Sequence, residues 1–503
     1  MKIAIIGSGA AALGVLDRLS TLVPRPEITL IDRAECVPSK PPFDNWTAER
    51  LRPVYQRMWA EHGNIFPPPK TNFGMMPSTQ SVEGWGRVWD SNSYGGLTSI
   101  WGLCTVPFST HELRDWPFNR TELDPHYAAI SKRIGIAGEH DALNQWFGDD
   151  FVNRPPITTT PTIRALERGV NASRPGRTFR FISGGSRLAV ETRPQDTQAC
   201  IACGECMIGC PRGAMYSTVA DINAYRRCGL ILHEVFGRAL AVEGEPHQVI
   251  VEADDRREAI GPFDLVYVCA GCLGTTELVM RSLGLHDGPK IIDNSVYTFP
   301  LIYTGRSLWS ENRGHLGLAN LLINAIPLNS MAHSAQIQIY PVFDHLWRYY
   351  TPHLLWPMMR SLAHSVRRRA LIARVFLHGE YSQSYAVHVE GCKPATIALA
   401  HSGMPLSRIP DLWRELRHTF WDAGFLSPIT PLQQCTSSHY AASLPIGCGP
   451  VARDASIRPG VYLCDSSVFP TAPAASPTFT IMANARRIAH LSLAGSGEGR
   501  TSL

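Results

Sequence analysis

Residues 1–14 read Met1-Lys2-Ile3-Ala4-Ile5-Ile6-Gly7-Ser8-Gly9-Ala10-Ala11-Ala12-Leu13-Gly14, and the fold turns on this stretch. A short apolar run enters a glycine turn and then an alanine-rich segment, which predicts a strand, a tight turn and a helix start. Gly7 permits the turn, and Gly9 lets the backbone approach a pyrophosphate at the helix N-terminus opened by Ala10 and Ala11. Ala12 stands where a third glycine often stands. Together with Gly14 it is expected to let the helix pack close to the sheet. A second apolar run, Ile28-Thr29-Leu30-Ile31, ends at Asp32, whose carboxylate can accept hydrogen bonds from ribose hydroxyls. An acid there disfavours a 2′-phosphate, which sets NADP aside and leaves FAD or NAD. The expectation is an α/β chain built on a Rossmann-like dinucleotide-binding domain.

At 503 residues the chain exceeds one ordinary core, so two packed domains are expected. Hydrophobic residues at 44% and charged residues at 18% describe an ordered globular protein. The net charge of +4 is a mild basic excess with no Lys/Arg run interleaved with stacking aromatics, so nucleic acid is not an expected partner. No secretory signal is read at the N-terminus, and no apolar run reaches the length of a spanning helix. The 13 cysteines are odd in number and cluster locally. That pattern favours a reducing compartment with a local thiol site over general disulfide bonding, and a cytoplasmic location is the default expectation.

Further stretches follow in order. Tyr94-Gly95-Gly96-Leu97-Thr98 lies beyond Asp32 and precedes Trp116-Pro117 and Leu123-Asp124-Pro125-His126-Tyr127. Far downstream come His439-Tyr440-Ala441-Ala442-Ser443-Leu444-Pro445-Ile446-Gly447, then Asp465-Ser466-Ser467-Val468-Phe469-Pro470, then Ser476-Pro477-Thr478-Phe479-Thr480-Ile481-Met482-Ala483. In this order the chain resembles the glucose–methanol–choline (GMC) oxidoreductases, in particular bacterial FAD-dependent sugar and alcohol dehydrogenases with a cysteine-rich segment. The match spans nearly the whole chain, although residues 286–430 carry nothing diagnostic.

The resemblance implies FAD as cofactor. Asp32 would hold the adenosine ribose, and Gly95, Gly96 and Thr98 would lie beside flavin and pyrophosphate. Asp465 would sit near the ribityl-pyrophosphate, with the Pro477-Thr478 backbone under the flavin ring. Ala270 and Gly271, in a strand-end glycine turn after Leu265-Val266-Tyr267-Val268, are expected to pack beside the cofactor. A discontinuous FAD-binding domain would comprise residues 1–40, 85–130, 185–285 and 431–503. A sheet-plus-helices substrate domain would comprise residues 41–84, 131–184 and 286–430. The implied reaction oxidises an alcohol (a sugar, polyol or other CH–OH group) to a carbonyl by hydride transfer to flavin. His439 would take the hydroxyl proton, a task suited to an imidazole. Ser476 stands where the family usually keeps Asn or His. It can donate to the substrate oxygen but cannot replace the base.

Two segments leave alternatives open. Cys200, Cys203, Cys206 and Cys210 have C-x₂-C-x₂-C-x₃-C-P spacing, which can hold a three-iron or four-iron sulfur cluster. Reduced thiols, disulfides and zinc are the other readings. A cluster would make the chain an electron-transfer flavoprotein subunit passing electrons to a redox partner protein, the alternative to alcohol oxidation. The stretch 345–376 has no acid and carries Trp347, Trp356, Arg360, Arg367, Arg368, Arg369 and Arg374. It is expected as a helix pair covering the active site with a solvated arginine face, in preference to a basic helix on an anionic membrane surface.

Overall fold

The computed structural model of the chain describes residues 1–34, 78–83, 86–204, 206, 210, 212–254, 256–305, 316–329, 332–342, 369–391, 393–434 and 436–495. Its first sheet is built on the N-terminal strand Lys2–Ile6. The sheet runs in the order Ser456–Arg458, Val461–Leu463, Leu265–Val268, Lys2–Ile6, Glu27–Asp32, Ile231–Phe236. All neighbours are parallel except the antiparallel edge strand Ser456–Arg458. Its inner strands are predominantly apolar and buried, as a parallel sheet covered on both faces requires. The order reverses on either side of Lys2–Ile6, and a crevice opens outside the carboxyl ends of the strands there.

The helix Ala10–Leu19 follows the glycine turn and packs on the last helix, Thr478–Gly495. Gly14 makes that contact, which corrects its expected role against the sheet. A Cβ at Gly14 would lie 2.1 Å from the Met482 carbonyl oxygen and 2.9 Å from the Ala485 Cβ. Gly14→Ala would gain about 1 kcal/mol of helix propensity. It would also force apart two helices in backbone contact, an overpacking cost of about 1–3 kcal/mol. The collision should win, and the denaturant midpoint of the variant is expected to fall.

A second, antiparallel sheet runs Phe425–Leu426, Val296–Tyr303, Ala370–Phe376, Ala335–Pro341, Leu321–Pro327, Phe179–Gly185. One face supplies Ile337, Ile339, Ala373 and Val375 to a core with Leu166, Leu416 and Phe420 from the helices Pro161–Ala172 and Leu412–Asp422. Side chains alternate along a strand, so the opposite face presents Gln336, Gln338, Tyr340, Arg374 and Phe376. That face looks at the crevice of the first sheet.

A third sheet contains Ile291–Asp293, Gln383–His388, Thr396–Ser402 and Tyr440–Ala441, and a separate three-stranded meander spans residues 238–263. The expected helix pair over 345–376 meets a strand at its described end, because Ala370–Phe376 pairs on both edges. Apolar residues on alternate positions and two waiting partners outweigh the local basic pattern. Residues 343–368, with the rest of that expectation, lie outside the described residues. No helix among the described residues is long and apolar enough to cross a membrane.

Candidate functional site

Three helix starts meet in the crevice. Gly9 caps Ala10–Leu19 and Ala270 caps Gly271–Ser282, neither with a side-chain hydrogen bond. Pro477 and Thr478 open the last helix. The first turns of helices leave N–H groups without intrahelical partners and carry positive partial charge. All three starts border one cavity, an arrangement suited to a pyrophosphate and to an anionic ring edge.

The glycines are shaped for different ends. Gly7 has φ +102°, and a Cβ there would lie 2.4 Å from the Cys269 carbonyl oxygen of the neighbouring strand. Over Gly9 the nearest protein atom is 3.8 Å away; the space above it belongs to the cavity. The facing turn is tied to it, since the Gly95 N–H donates to Ser8 Oγ at 2.7 Å. Thr98 Oγ1 donates to the Gly95 carbonyl at 2.6 Å. Gly96 and Thr98 reach the cavity wall, whereas Gly95 stands behind it against Val219.

Four carboxylates border the cavity; Asp90 and Glu277 pair with arginines, which leaves Asp32 and Asp465. Asp32 ends its strand buried, accepting from the Ala34 N–H at 2.8 Å. Burial raises its pKa, and a hydrogen bond from Ser8 works in the opposite direction. Its neighbour Arg33 pairs with Asp90 instead, so Asp32 keeps acceptor capacity toward the cavity. Asp465 is more committed, accepting from Thr275 Oγ1 and from the Ser467 N–H at 2.9 Å. Burial raises its pKa too.

His439 lies across the same cavity. Its backbone N–H reaches Ser437 Oγ at 3.1 Å and Asp293 Oδ1 at 3.3 Å. Asp293, fully buried, is in turn held by Gln383 Nε2 at 2.8 Å and Ser437 Oγ at 2.6 Å. The imidazole stacks on Phe376 with ring centres 5.0 Å apart. Its Nδ1 is enclosed without a partner, which leaves Nε2 as the nitrogen open to the cavity. Burial first, and then the Arg374 charge, push its pKa down to about 3, so the ring is neutral with a lone pair to offer.

Ser476 is drawn into the roof. Its Oγ accepts from Gln338 Nε2 at 3.1 Å and donates to Gln336 Oε1 at 3.4 Å. Tyr340 OH donates to Gln338 Oε1 at 2.7 Å, and Arg374 Nη2 donates to Gln434 Oε1 at 3.0 Å. Sequence reasoning did not assign Asp293, Gln338, Tyr340, Phe376 or Gln434, and it read Arg374 as solvated. The one available signal was the alternation Gln336-Ile337-Gln338-Ile339-Tyr340, whose polar positions share a strand face.

The cysteines lie apart from this cavity. Cys200 Sγ and Cys210 Sγ accept backbone N–H bonds from Ala202 and Ala214 at 3.4 and 3.2 Å. The four thiols line one small common space. Tetrahedral zinc, with Zn–S near 2.3 Å, needs sulfurs about 3.8 Å apart. Among the described residues, the one His/Cys/Asp/Glu group with ligand atoms all within 4.8 Å is His333, His378 and Glu380. The thiols as placed are therefore not gathered for zinc, and nothing in their arrangement supports an iron–sulfur cluster. The histidine trio spends its lone pairs internally, because Arg114 Nη2 lies 2.8 Å from His333 Nδ1 and the Glu380 N–H donates to His378 Nδ1 at 3.2 Å.

No protein-family model matches the sequence, and no curated protein matches it. Solved structures do match. Pyridoxine 4-oxidase from Mesorbium loti superposes with a TM-score of 0.62 at 15% identity, over 97% of this chain and 98% of that one. An FAD-dependent oxidoreductase from Chaetomium thermophilum gives a TM-score of 0.57 at 13% identity, over 98% and 99% of the two chains. A fungal aryl-alcohol oxidase gives the same TM-score of 0.57 and 13% identity, over 98% of this chain and 99% of that one. At such identities the likeness is one of fold, and it runs end to end: the chain shares the fold of these three structures, a Rossmann-like unit under a sheet-plus-helices roof.

Proposed function

We propose that this chain is an FAD-dependent oxidoreductase that oxidises a CH–OH group to a carbonyl. The observation that carries the reading is a neutral imidazole, His439, open to the same cavity on which three helix starts converge. FAD held there supplies the hydride acceptor. Gly7, Gly9, Ala10, Ala11 and Gly96 shape the pyrophosphate cradle, with Asp32 accepting from the adenosine ribose. Gly95 and Thr98 brace the facing turn, while Ala270, Gly271 and Asp465 close the other side. Pro477 and Thr478 direct the N-terminus of the last helix at the flavin, where its partial positive charge favours negative charge gained on reduction. His439 Nε2 takes the hydroxyl proton of the substrate. Ser476 and Gln338, hydrogen-bonded to each other, orient the substrate oxygen. The cysteine arrangement lends no support to an electron relay through a cluster.

Anaerobic mixing of the FAD-loaded protein with a broad panel of primary and secondary alcohols tests this. Loss of the oxidised-flavin absorbance with at least one of them is the expected result. A flavin that stays oxidised with every alcohol, yet is reduced by dithionite, would overturn the reading.

A further inference from the structure

Three arginines line the cavity, and two of them are neutralised by a carboxylate within it. Arg33 pairs with Asp90, and Arg238 pairs with Glu277. Arg374 differs. It projects from the middle of the roof sheet, in register with Gln338, and its contacts are all with neutral groups. Its Nη2 donates to Gln434 Oε1 at 3.0 Å, the Tyr340 hydroxyl is a second neighbour, and the guanidinium lies over the Phe376 ring at 5.1 Å. Among the described residues no carboxylate pairs with it. Its Nε is enclosed without a partner, and so is the Nε2 of Gln336 on the same sheet face. An arginine turned into an active-site cavity with no counter-ion, beside an unanswered amide donor, costs free energy unless a ligand completes it.

We infer that the alcohol oxidised here carries a carboxylate, and that Arg374 binds that carboxylate. The inference rests on the oxidoreductase reading and names its substrate class. One unpaired guanidinium balances one negative charge. Its planar fork matches a carboxylate through two parallel N–H bonds, and Gln434 and Tyr340 flank it with further polar groups. The remaining acids of the cavity lie toward the nucleotide end or are already hydrogen-bonded, so the anion must come from outside. Its arrival has a second effect. Arg374 is the one charge that depresses the basicity of His439, so a carboxylate that neutralises Arg374 makes the imidazole a better base once the acidic substrate is in place. A neutral alcohol would leave the base weakened.

The test uses the FAD-loaded full chain and ligands that cannot be oxidised, so that binding is read apart from turnover. Benzoate against benzamide, and propionate against propionamide, are titrated while the flavin absorbance is followed. A saturable spectral shift is expected with at least one acid, about 10- to 100-fold tighter than with its amide, the span of a charge-assisted hydrogen bond. Arg374→Met should erase the difference, and Arg374→Lys should keep part of it at unchanged FAD content. Acid and amide binding alike, neither acid binding, or Arg374→Met binding the acids undiminished would each overturn the inference. Inorganic phosphate binding more tightly than both acids would overturn the carboxylate assignment. Should Arg374→Met fail to fold, the acid–amide comparison in the native chain still decides. Neutral alcohols that bleach the flavin in a His439-dependent way as fast as alcohols carrying a carboxylate would leave the oxidoreductase reading standing and remove this one.

Discussion

His439→Ala protein, loaded with FAD and mixed anaerobically with an alcohol that bleaches the native flavin, is expected to react about 10²- to 10⁴-fold more slowly. That is the usual contribution of a positioned general base, equivalent to about 3–5 kcal/mol in the barrier. Bound FAD should be unchanged. The proposed phosphate cradle uses the helix starts at Gly9 and Ala270, away from residue 439, and the tether from residue 439 to Asp293 runs through its backbone N–H, which alanine keeps. Only the stack on Phe376 is lost. The pH dependence follows from the depressed pKa. A base is disabled when protonated, and a group pushed down to about 3 is deprotonated throughout the range where a free histidine, near 6.5, would be titrating. The native kcat/KM for bleaching by a neutral alcohol should therefore show no acidic limb between about pH 5 and 8, bearing in mind that kcat/KM reports the free enzyme. Rapid-mixing absorbance at several pH values measures both effects, and bleaching by His439→Ala at the native rate would remove the residue from the reaction.

Gly7→Ala should fail earlier, at assembly. The position has φ +102°, and the added carbon would stand 2.4 Å from the Cys269 carbonyl oxygen. Neither backbone can step aside, because the Gly7 N–H donates to the Ile31 carbonyl at 2.7 Å and the Cys269 N–H to the Ile6 carbonyl at 2.8 Å. A left-handed conformation costs an L-residue about 1–2 kcal/mol, and overpacking adds about 1–3 kcal/mol. Against a total stability on the order of 5–15 kcal/mol, the sum of about 2–5 kcal/mol is severe. The variant is expected to lose FAD on purification and to unfold at a markedly lower temperature. Gly9→Ala is the control. Its added carbon meets no protein atom closer than 3.8 Å, so that protein should fold normally and lose affinity for FAD alone.

The glycine turn, Asp32 and the start of the last helix were legible because each is a local signal: a turn that needs glycine, an acid at a strand end, a proline at a helix start. The role of Gly14 was not, since its partner Met482 stands at the far end of the chain and no local pattern names it. The roof was hidden for a related reason. Whether Arg374 meets water or the cavity depends on which face of Ala370–Phe376 turns inward, and that is fixed by pairing with Val296–Tyr303 and Ala335–Pro341. The cysteine run is the opposite case: its spacing permits a cluster, and the placement of the four thiols adds no support for one.

The three helix starts in the crevice come from residues near 10, 271 and 478, and this dictates an order of events during synthesis. A chain in which the glycine turn and the first strands are already made still lacks the third wall of the crevice until residues 478–495 have followed. Domains mature from the N-terminus as they are made, but a cofactor bound as proposed would have to wait for that helix. Premature termination anywhere before the final helix would therefore yield colourless protein, however well the first sheet had formed.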